Sequence, residues 1–372
     1  MRLNVVHIVE DLKIGGLEKV IATIATGLDK ENFNVMVWCL SKGGQIYDEL
    51  KTAGIAVETL NMKSWRNPLF LLSLALKFRR SKVDIVHAHG YTATTIGRLA
   101  AFLAGVKVIL AHIHSTYYDF TGKQFFIEKL FSFFTDKIIC CSEAVAEFAE
   151  RDEGINRNKI KVVYNGIDVD RFAMVSTVKS EQKNRFTVGC VASLVEHKGH
   201  KYLLGAAKQV LKVLPDRVRF MLVGDGPLRK ELESYCRELG ISDSVGFIGS
   251  VNNVEAFIGT FDISVLVSSR REGLGIALIE AMACGIPVIG TRIGGIPEII
   301  EDKRNGLLVE PNDERAISEA IISMCNNWKN ARKMGEAAKV TVNEKFSKAV
   351  MLRALKTLYL ELYDGKSRKK KN

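Results

Sequence analysis

Apolar positions along this chain follow two alternating patterns. Short runs of consecutive apolar residues, typical of buried strands, alternate with segments in which apolar residues recur at helical spacing. The helical segments of the first half include Leu17–Leu28 and Ala93–Ala104. The predicted strands of this half are Asn4–Val9, Asn34–Leu40, Asp84–His89, Lys107–His112, Lys137–Cys141 and Lys161–Tyr164. This alternation predicts βαβ units and a parallel sheet.

The pattern begins again after a polar stretch, Ser176–Arg185, which has no apolar periodicity and is typical of an interdomain linker. Helices are predicted at Leu228–Leu239 and Ile276–Ala283. The second set of strands is Phe186–Val191, Val218–Gly224, Val245–Ile248, Ile263–Val267, Pro287–Thr291 and Gly306–Val309. We therefore predict two doubly wound α/β domains, residues 1–175 and 176–345, with ligands at the carboxyl ends of their strands. A long helix, about Asn343–Tyr363, follows with no strand after it.

Composition is that of a globular protein. The 372 residues are 47% hydrophobic and 26% charged, enough for two domains with cores of their own. The seven cysteines are scattered without C-x-x-C spacing, which predicts reduced thiols in a reducing compartment. The N-terminal apolar run is short and followed by acids, unlike a signal peptide, and no run is long enough to span a bilayer. We expect a cytoplasmic protein that is at most peripheral to the inner face of the membrane.

The formal net charge of +11 lies partly in the C-terminal tail, 366–371. A basic cluster of this kind can hold a protein near anionic lipid. It can equally be a solvated, frayed terminus. Such a cluster is also compatible with nucleic-acid contact, but we expect no nucleic-acid partner.

A glycine pair, Gly15 and Gly16, stands between the first strand and the first helix. Glycines there allow a ligand to approach the backbone amides at a helix N-terminus, which is a plausible seat for a diphosphate. The pair does not fit G-x-G-x-x-G, so the nicotinamide dinucleotide fingerprint is absent. The alternative is a plain strand–helix turn.

An acidic pair, Glu272 and Glu280, flanks a second glycine turn that contains Gly273 and Gly275. The turn opens a helix whose N-terminal amides can bind an anion. One carboxylate would then lie near a sugar-sized group and the other near a ribose, with phosphate between. Alternatively, Glu280 pairs with a buried cation or caps a loop. A glycosidase acid–base pair is a further alternative, against which the phosphate-binding turn argues.

Together with Asn165–Asp168, Val223–Leu228 and Gly294–Glu298, these motifs occur in an order that resembles glycosyltransferase family 4 from about residue 1 to about 350. The resemblance implies a retaining, metal-independent hexosyltransferase of the GT-B fold, in which two Rossmann-like domains face each other across a cleft. It also implies that the C-terminal segment, 346–372, crosses back to the first domain.

The resemblance implies a role for several residues at the donor diphosphate. Gly15 and Gly16 would offer amides to the diphosphate or its sugar. Lys198, in the run Glu196–Gly199, would neutralise the diphosphate charge. The amides near Gly275 and Ile276 would assist.

It also implies roles at the sugars. Glu272 would hold hydroxyls of the transferred sugar, Glu280 would hold the ribose, and His114 corresponds to the family's histidine near the reacting sugar carbon. One departure is Ser193, which stands in the donor site where the family often has an arginine. Arg270 and Arg271 are candidates for the missing cation, or they are simply solvated.

The resemblance implies transfer of a sugar from a nucleotide-sugar donor, a UDP- or GDP-sugar, to a hydroxyl acceptor, in the synthesis of a cell-surface polysaccharide, lipopolysaccharide or glycolipid. Fixed amides and Lys198 would stabilise the charge of the leaving diphosphate. No cofactor is expected, because the nucleotide-sugar is a co-substrate, and no metal either. The alternatives are an epimerase or phosphorylase of the same fold, and a non-catalytic sugar-nucleotide sensor.

Two H-x-H pairs, His87/His89 and His112/His114, end predicted strands. Alternate residues of a strand share a face, so each pair is able to chelate zinc. No acidic third ligand lies at a suggestive spacing. We therefore interpret these side chains as cleft or strand-end histidines rather than as metal ligands.

An aromatic and basic segment covers Tyr117–Phe120 and Phe125–Phe134. Its aromatic rings either dock a lipid-linked acceptor at a membrane interface or pack in the core of the first domain. Helix-spaced aromatic residues usually belong to a core, and we expect the core here.

Overall fold

The structure is a computed structural model that describes residues 2–13, 15–64, 67–116, 120–175 and 183–369. It divides into two compact units, Met1–Gly166 with Lys348–Asn372, and Ile167–Ser347. The first unit therefore ends nine residues before the expected boundary at 175. The reason is local packing, since helix Val169–Ala173 contacts helix Ile276–Ala283 of the second unit. Most of the predicted linker lies outside the described residues.

The first unit holds a seven-stranded parallel sheet. Its elements in chain order are β1 (Leu3–Val9), α1 (Gly16–Gly27), β2 (Phe33–Cys39), α2 (Gln45–Thr52), β3 (Ala56–Thr59), α3 (Pro68–Arg80), β4 (Ile85–His89), α4 (Tyr91–Ala104), β5 (Val108–Ile113), α5 (Gly122–Ser132), β6 (Lys137–Cys140), α6 (Glu143–Arg151) and β7 (Ile160–Val162). The strand order is β3-β2-β1-β4-β5-β6-β7. The order reverses between β1 and β4, which makes that point the switch point of the sheet.

The second unit repeats the design with six strands. Its elements are α7 (Val169–Ala173), β8 (Phe186–Val191), α8 (His200–Val213), β9 (Val218–Val223), α9 (Arg229–Leu239), β10 (Val245–Gly249), α10 (Val254–Ile258), β11 (Ile263–Leu266), α11 (Ile276–Ala283), β12 (Val288–Thr291), α12 (Ile296–Ile299), β13 (Leu307–Val309), α13 (Glu314–Asn326) and α14 (Trp328–Lys345). The order β10-β9-β8-β11-β12-β13 places the switch point between β8 and β11.

Burial explains why the strands are continuous apolar runs. Helices cover both faces of a parallel sheet, so side chains on both faces of an inner strand leave water. Every residue of β4, β5 and β11 is buried. The strands and helices predicted up to Val309 are confirmed to within a few residues at their ends. The short strand β3 was missed, because its residues are partly exposed and form no apolar run.

The predicted single helix over Asn343–Tyr363 is wrong. Helix α14 ends at Lys345, and a new helix, α15 (Lys348–Lys369), begins three residues later. Phe346 separates the two helices, because its backbone is not helical. Its ring is buried, and its carbonyl accepts a hydrogen bond of 2.9 Å from the amide of Ile167. Helix α15 belongs to the first unit, where Lys356 Nζ lies 2.8 Å from a carboxylate oxygen of Asp29.

Two findings concern the expectations from composition. All seven cysteines are free, as predicted, and all are buried. Among the described residues, no helix combines the length and apolar character needed to cross a membrane.

Candidate active site

A partly buried ion pair lies at the switch point of the second unit. Lys198 follows β8 and Glu272 follows β11, the two strands between which the strand order reverses. Lys198 Nζ lies 2.6 Å from Glu272 Oε2, and the same oxygen accepts a 2.7 Å hydrogen bond from Ser268 Oγ. Two residues predicted to act at the donor are therefore in direct contact.

The ionised form of Glu272 is stabilised despite its burial. Desolvation by itself raises the pKa of Glu272. The charge of Lys198 and hydrogen bonds from Lys198 and Ser268 outweigh desolvation, so that the pKa of Glu272 lies below its usual value. Glu272 is therefore a carboxylate at neutral pH.

Two glycines allow the loops around this pair to touch. A Cβ on Gly199, next to Lys198, would lie 2.0 Å from the carbonyl oxygen of Val267. A Cβ on Gly294, after β12, would lie 1.9 Å from the carbonyl oxygen of Glu272. Both glycines also have positive φ, +70° and +53°, a conformation that side chains oppose. The loops after β8, β11 and β12 thus hold Glu272 through backbone contacts.

The glycine turn after Glu272 leads into α11 as predicted. Gly275 caps this helix with φ +90°, and Ile276 is its first residue. The N-terminal amides of α11 therefore lie close in sequence to Glu272, where a helix terminus favours an anion. Glu280 is buried on the same apolar helix.

The loop that carries Ser193 is exposed at this residue. A turn packs against it, since a Cβ on Gly224 would lie 2.1 Å from the carbonyl oxygen of Ala192. Arg270, a candidate for the missing cation, instead contacts Glu196 at 2.9 Å, and both side chains are mostly exposed. The solvated alternative therefore describes Arg270 in this structure.

In the first unit, Gly15 caps α1 with extended backbone and Gly16 opens the helix. The carboxylate of Glu18 covers this turn, because a Cβ on Gly15 would lie 2.1 Å from Glu18 Oε2. Burial raises the pKa of Glu18. An acid in the first turn is favoured by the helix dipole, and a diphosphate bound at this turn would have to displace it.

Five of the seven histidines form one group on the first sheet, which we call the histidine cluster: His7, His87, His89, His112 and His114. The cluster arises from strand register. His7 of β1 pairs with His87 of β4, and His89 pairs with His112 of β5. The two H-x-H pairs in the sequence gave no sign of His7, because His7 lies on β1, at the start of the chain.

Hydrogen bonds link part of the cluster into a chain. His7 Nδ1 lies 2.9 Å from His89 Nε2, and His89 Nδ1 lies 3.1 Å from His114 Nε2. Burial lowers the pKa of His7 and of His114 to about 3. His114 is accordingly a neutral imidazole at pH 7, suited to accept or donate a hydrogen bond rather than to act as a cation.

The aromatic segment is not simply core, contrary to expectation. On and after α5, Phe126 is 65% exposed and Phe133 is 74% exposed, with Leu130 beside them also exposed. The helix has no clean apolar face because its aromatic residues occur at too many positions. Tyr117–Asp119 lie outside the described residues.

The fold and the site define a class. Two consecutive doubly wound units, with a lysine–carboxylate pair and a helix N-terminus at a switch point, are typical of proteins that bind phosphorylated ligands. Two family models match the chain in order: Glycosyltransferase Family 4 over residues 14–171 and Glycosyl transferases group 1 over residues 176–341. The chain belongs to the family 4 type of glycosyltransferases.

Similar proteins agree with this assignment. UDP-Gal:alpha-D-GlcNAc-diphosphoundecaprenol alpha-1,3-galactosyltransferase of Escherichia coli is 24% identical, with 98% of each chain covered. An uncharacterized 41.2 kDa protein in a cps region of Klebsiella pneumoniae is 31% identical, covering 97% of this chain and 99% of that one. The crystal structure of Anabaena HepE with UDP and glucose superposes with a TM-score of 0.86 at 21% identity, over 97% of this chain and all of that one (100%). The fold is therefore GT-B, as the sequence predicted.

Proposed function

We propose that this glycosyltransferase moves a sugar from a nucleoside-diphosphate sugar to a hydroxyl acceptor with retention of the anomeric configuration. The contact between Lys198 Nζ and Glu272 Oε2 at the switch point carries the proposal. It joins a cation suited to a phosphate with a carboxylate suited to sugar hydroxyls. UDP is the nucleotide in both the bound HepE structure and the name of the E. coli relative, so a UDP-sugar is the donor we propose.

Bond cleavage leaves negative charge on the departing diphosphate. Lys198 and the amides of Gly275 and Ile276 would stabilise this charge with groups already fixed in place. These groups provide the neutralisation without a metal at the phosphates. Retention follows from the family resemblance.

The remaining roles concern the donor sugars. Glu272 would accept hydrogen bonds from the transferred sugar, and Glu280, buried on α11, would bind the ribose. His114 would contact the transferred sugar as a neutral imidazole, and the amides at Gly15 and Gly16 would contact the donor once the Glu18 carboxylate moves aside.

The acceptor we propose is a lipid-linked saccharide of cell-surface polysaccharide or glycolipid synthesis. The E. coli relative is named for a diphosphoundecaprenol-linked acceptor. In this chain Phe126, Leu130 and Phe133 are exposed beside Lys129, a combination suited to an anionic membrane interface. The protein would then work at the inner face of the cell membrane.

The test is release of UDP from UDP-sugars, measured with and without a polyprenyl-diphosphate-linked sugar. We expect acceptor-dependent release that Lys198→Ala and Glu272→Gln abolish. Arg315→Ala, which breaks an exposed pair with Glu319, is the matched control and should remain active. Proton NMR of the product decides retention from the anomeric coupling. Equal turnover in all three variants would refute the site, whereas a change of the donor sugar without acceptor would indicate an epimerase.

A further inference from the structure

The histidine cluster contains buried nitrogen atoms that the described residues leave without partners. They include Nε2 of His7 and Nε2 of His87, and both rings are fully buried. A buried polar atom without a partner destabilises the folded chain. For Nε2 of His87, an ion held by several imidazole nitrogens would supply the missing partner.

We propose that His7, His87 and His89 bind a divalent transition-metal ion of the zinc class. One nitrogen from each ring lies within 4.8 Å of the other two. In a tetrahedral zinc site with Zn–N bonds of about 2.0–2.1 Å, ligand nitrogens are about 3.3 Å apart. His7 Nδ1 and His89 Nε2 are 2.9 Å apart. The two atoms would have to move apart by only a few tenths of an ångström to bind the ion.

Backbone geometry brings these rings together. His87 and His89 are alternate residues of β4 and therefore share a face, and His7 lies beside His87 in the parallel register. Ring centroids are 5.0 Å apart for His7 and His87, and 5.2 Å apart for His7 and His89. The ligands thus come from two paired strands of the sheet centre, which fixes their spacing.

Two of the three rings have the outer partners that metal-bound histidines usually have. Tyr359 Oη of α15 lies 2.6 Å from His87 Nδ1, which directs His87 Nε2 towards the site. His114 Nε2 lies 3.1 Å from His89 Nδ1, which directs His89 Nε2 likewise. The ion would therefore also stabilise the contact of α15 with the first sheet, through Tyr359.

A second trio, His89, His112 and His114, also meets the distance condition. It shares His89 with the first, so the two trios cannot both hold an ion through the same nitrogen. His114 is the least buried of the group. The first trio, in which all three rings are fully buried, is the site we assign.

The ligand set selects the ion. Three imidazoles favour zinc, copper, nickel or cobalt over magnesium and calcium, which prefer oxygen ligands. Such an ion differs from one that would bridge phosphates, and its role here is to stabilise the first unit. The inference does not rest on the proposed function.

The test measures the metal content of the full-length chain, without an affinity tag, by inductively coupled plasma mass spectrometry. The chain is measured as purified, and again after incubation with ZnCl2 followed by dialysis. We expect about one zinc per chain, and a chelator should lower Tm because the ion binds only the folded state. His7→Gln with His87→Gln should abolish binding. His197→Gln, which changes a histidine of the second unit, is the control and should retain the ion.

Tyr359→Phe keeps the ring packing and removes only the hydroxyl partner of His87, so it serves where the histidine variants fail to fold. Loss of an outer partner typically weakens metal binding about 10–100-fold, measurable by chelator competition. Zinc at background level in the wild type under both conditions would overturn the proposal and leave a hydrogen-bonded imidazole chain. Equal zinc affinity in the wild type and Tyr359→Phe would overturn the assigned geometry.

Discussion

Lys198 Nζ and Ser268 Oγ both donate to one oxygen of Glu272, at 2.6 Å and 2.7 Å. This oxygen of Glu272 thus accepts two hydrogen bonds. A phosphate that attracts the lysine would release this oxygen for a sugar hydroxyl. Donor binding would then pair the ammonium with the phosphate, while the carboxylate would keep its hydrogen bond from Ser268 and accept another from the sugar.

Lys198→Ala should leave the buried Glu272 carboxylate without its cation. We expect kcat/KM to fall at least about 100-fold, since removal of one charge-stabilising group at a reacting centre commonly has this effect. Stability should change with pH as well. The lowered pKa of Glu272 means that its contribution is present above the unfolded pKa and lost as pH falls through the folded value.

Urea unfolding of the wild type and Lys198→Ala from pH 3 to pH 7 checks this sign. The gap between their free energies of unfolding should be largest near neutral pH and shrink in acid. Arg315→Ala, at an exposed pair with Glu319, should show a small gap at every pH. A Lys198→Ala gap that stays constant across the series would contradict the coupling.

Gly294→Ala should lower the free energy of unfolding of the second unit by more than the positive φ of Gly294 alone would cause. The new Cβ would meet the carbonyl oxygen of Glu272 at 1.9 Å. Gly240 has a similar positive φ, +70°, but nothing within 4 Å of an added Cβ. Gly240→Ala should therefore cost only about 1–2 kcal/mol, and Gly294→Ala clearly more, with loss of activity. Equal decreases of Tm in Gly294→Ala and Gly240→Ala would show that the loop moves to accommodate the methyl group.

Local patterns were enough to predict the alternation of strands and helices, because each buried parallel strand is itself an apolar run. The glycine turn before α11 also identified Glu272 from the residues, whereas Lys198 was predicted only from the family resemblance. Contacts set by strand order were not accessible from local patterns. Ser268 lies four residues before Glu272 in a run that reads as a loop, and only the packing of β11 directs its hydroxyl to the carboxylate.

The same limit explains two other misses. His7 joins His87 through the pairing of β1 with β4, across 80 residues of chain. The break at Phe346 depends on a hydrogen bond from Ile167, a partner that helical periodicity cannot reveal. Both are long-range contacts that propensity and spacing do not encode.

Ser193→Arg should strengthen donor binding. The family resemblance implies an arginine at the position of Ser193, and the exposure of Ser193 leaves room for a longer side chain. A guanidinium near the diphosphate would add a charge-assisted contact worth about 1.5–3 kcal/mol at best, so we expect the Kd of UDP to fall about tenfold. Ser193→Gln is the neutral control of similar reach. Calorimetry that gives the same Kd for both variants would place Ser193 away from the phosphates.

Glu153→Gln should stabilise the first unit, most of all at high pH. Both carboxylate oxygens of Glu153 are buried without partners among the described residues. Desolvation, with the nearby Glu128 charge, raises the pKa of Glu153 to about 8. Between the unfolded value and about pH 8 the folded chain holds a proton that the unfolded chain has lost, so stability falls as pH rises through that range.

Thermal unfolding from pH 5 to pH 9 measures this effect. The stabilisation by Glu153→Gln should grow with pH to a few kcal/mol, since one pKa unit corresponds to about 1.4 kcal/mol. Glu319→Gln changes an exposed carboxylate and should give a flat difference. A Glu153→Gln difference that is equally flat would mean that Glu153 is ionised in the folded protein.

Phe126→Ser with Phe133→Ser should separate activity on a membrane from activity in solution. Both rings are largely exposed, at 65% and 74%, so the free energy of unfolding should change little. Burying a phenylalanine is worth about 1.5–3 kcal/mol, and its loss at a lipid surface should lower turnover of a vesicle-borne acceptor on the order of tenfold per ring. A water-soluble short-chain acceptor should be used equally well by the variant and the wild type.

Met174→Ser, which changes an apolar side chain of the second unit that is 81% exposed, is the control for general loss of surface hydrophobicity. Equal losses on both acceptors would show that these rings act on the fold or on catalysis rather than on a membrane.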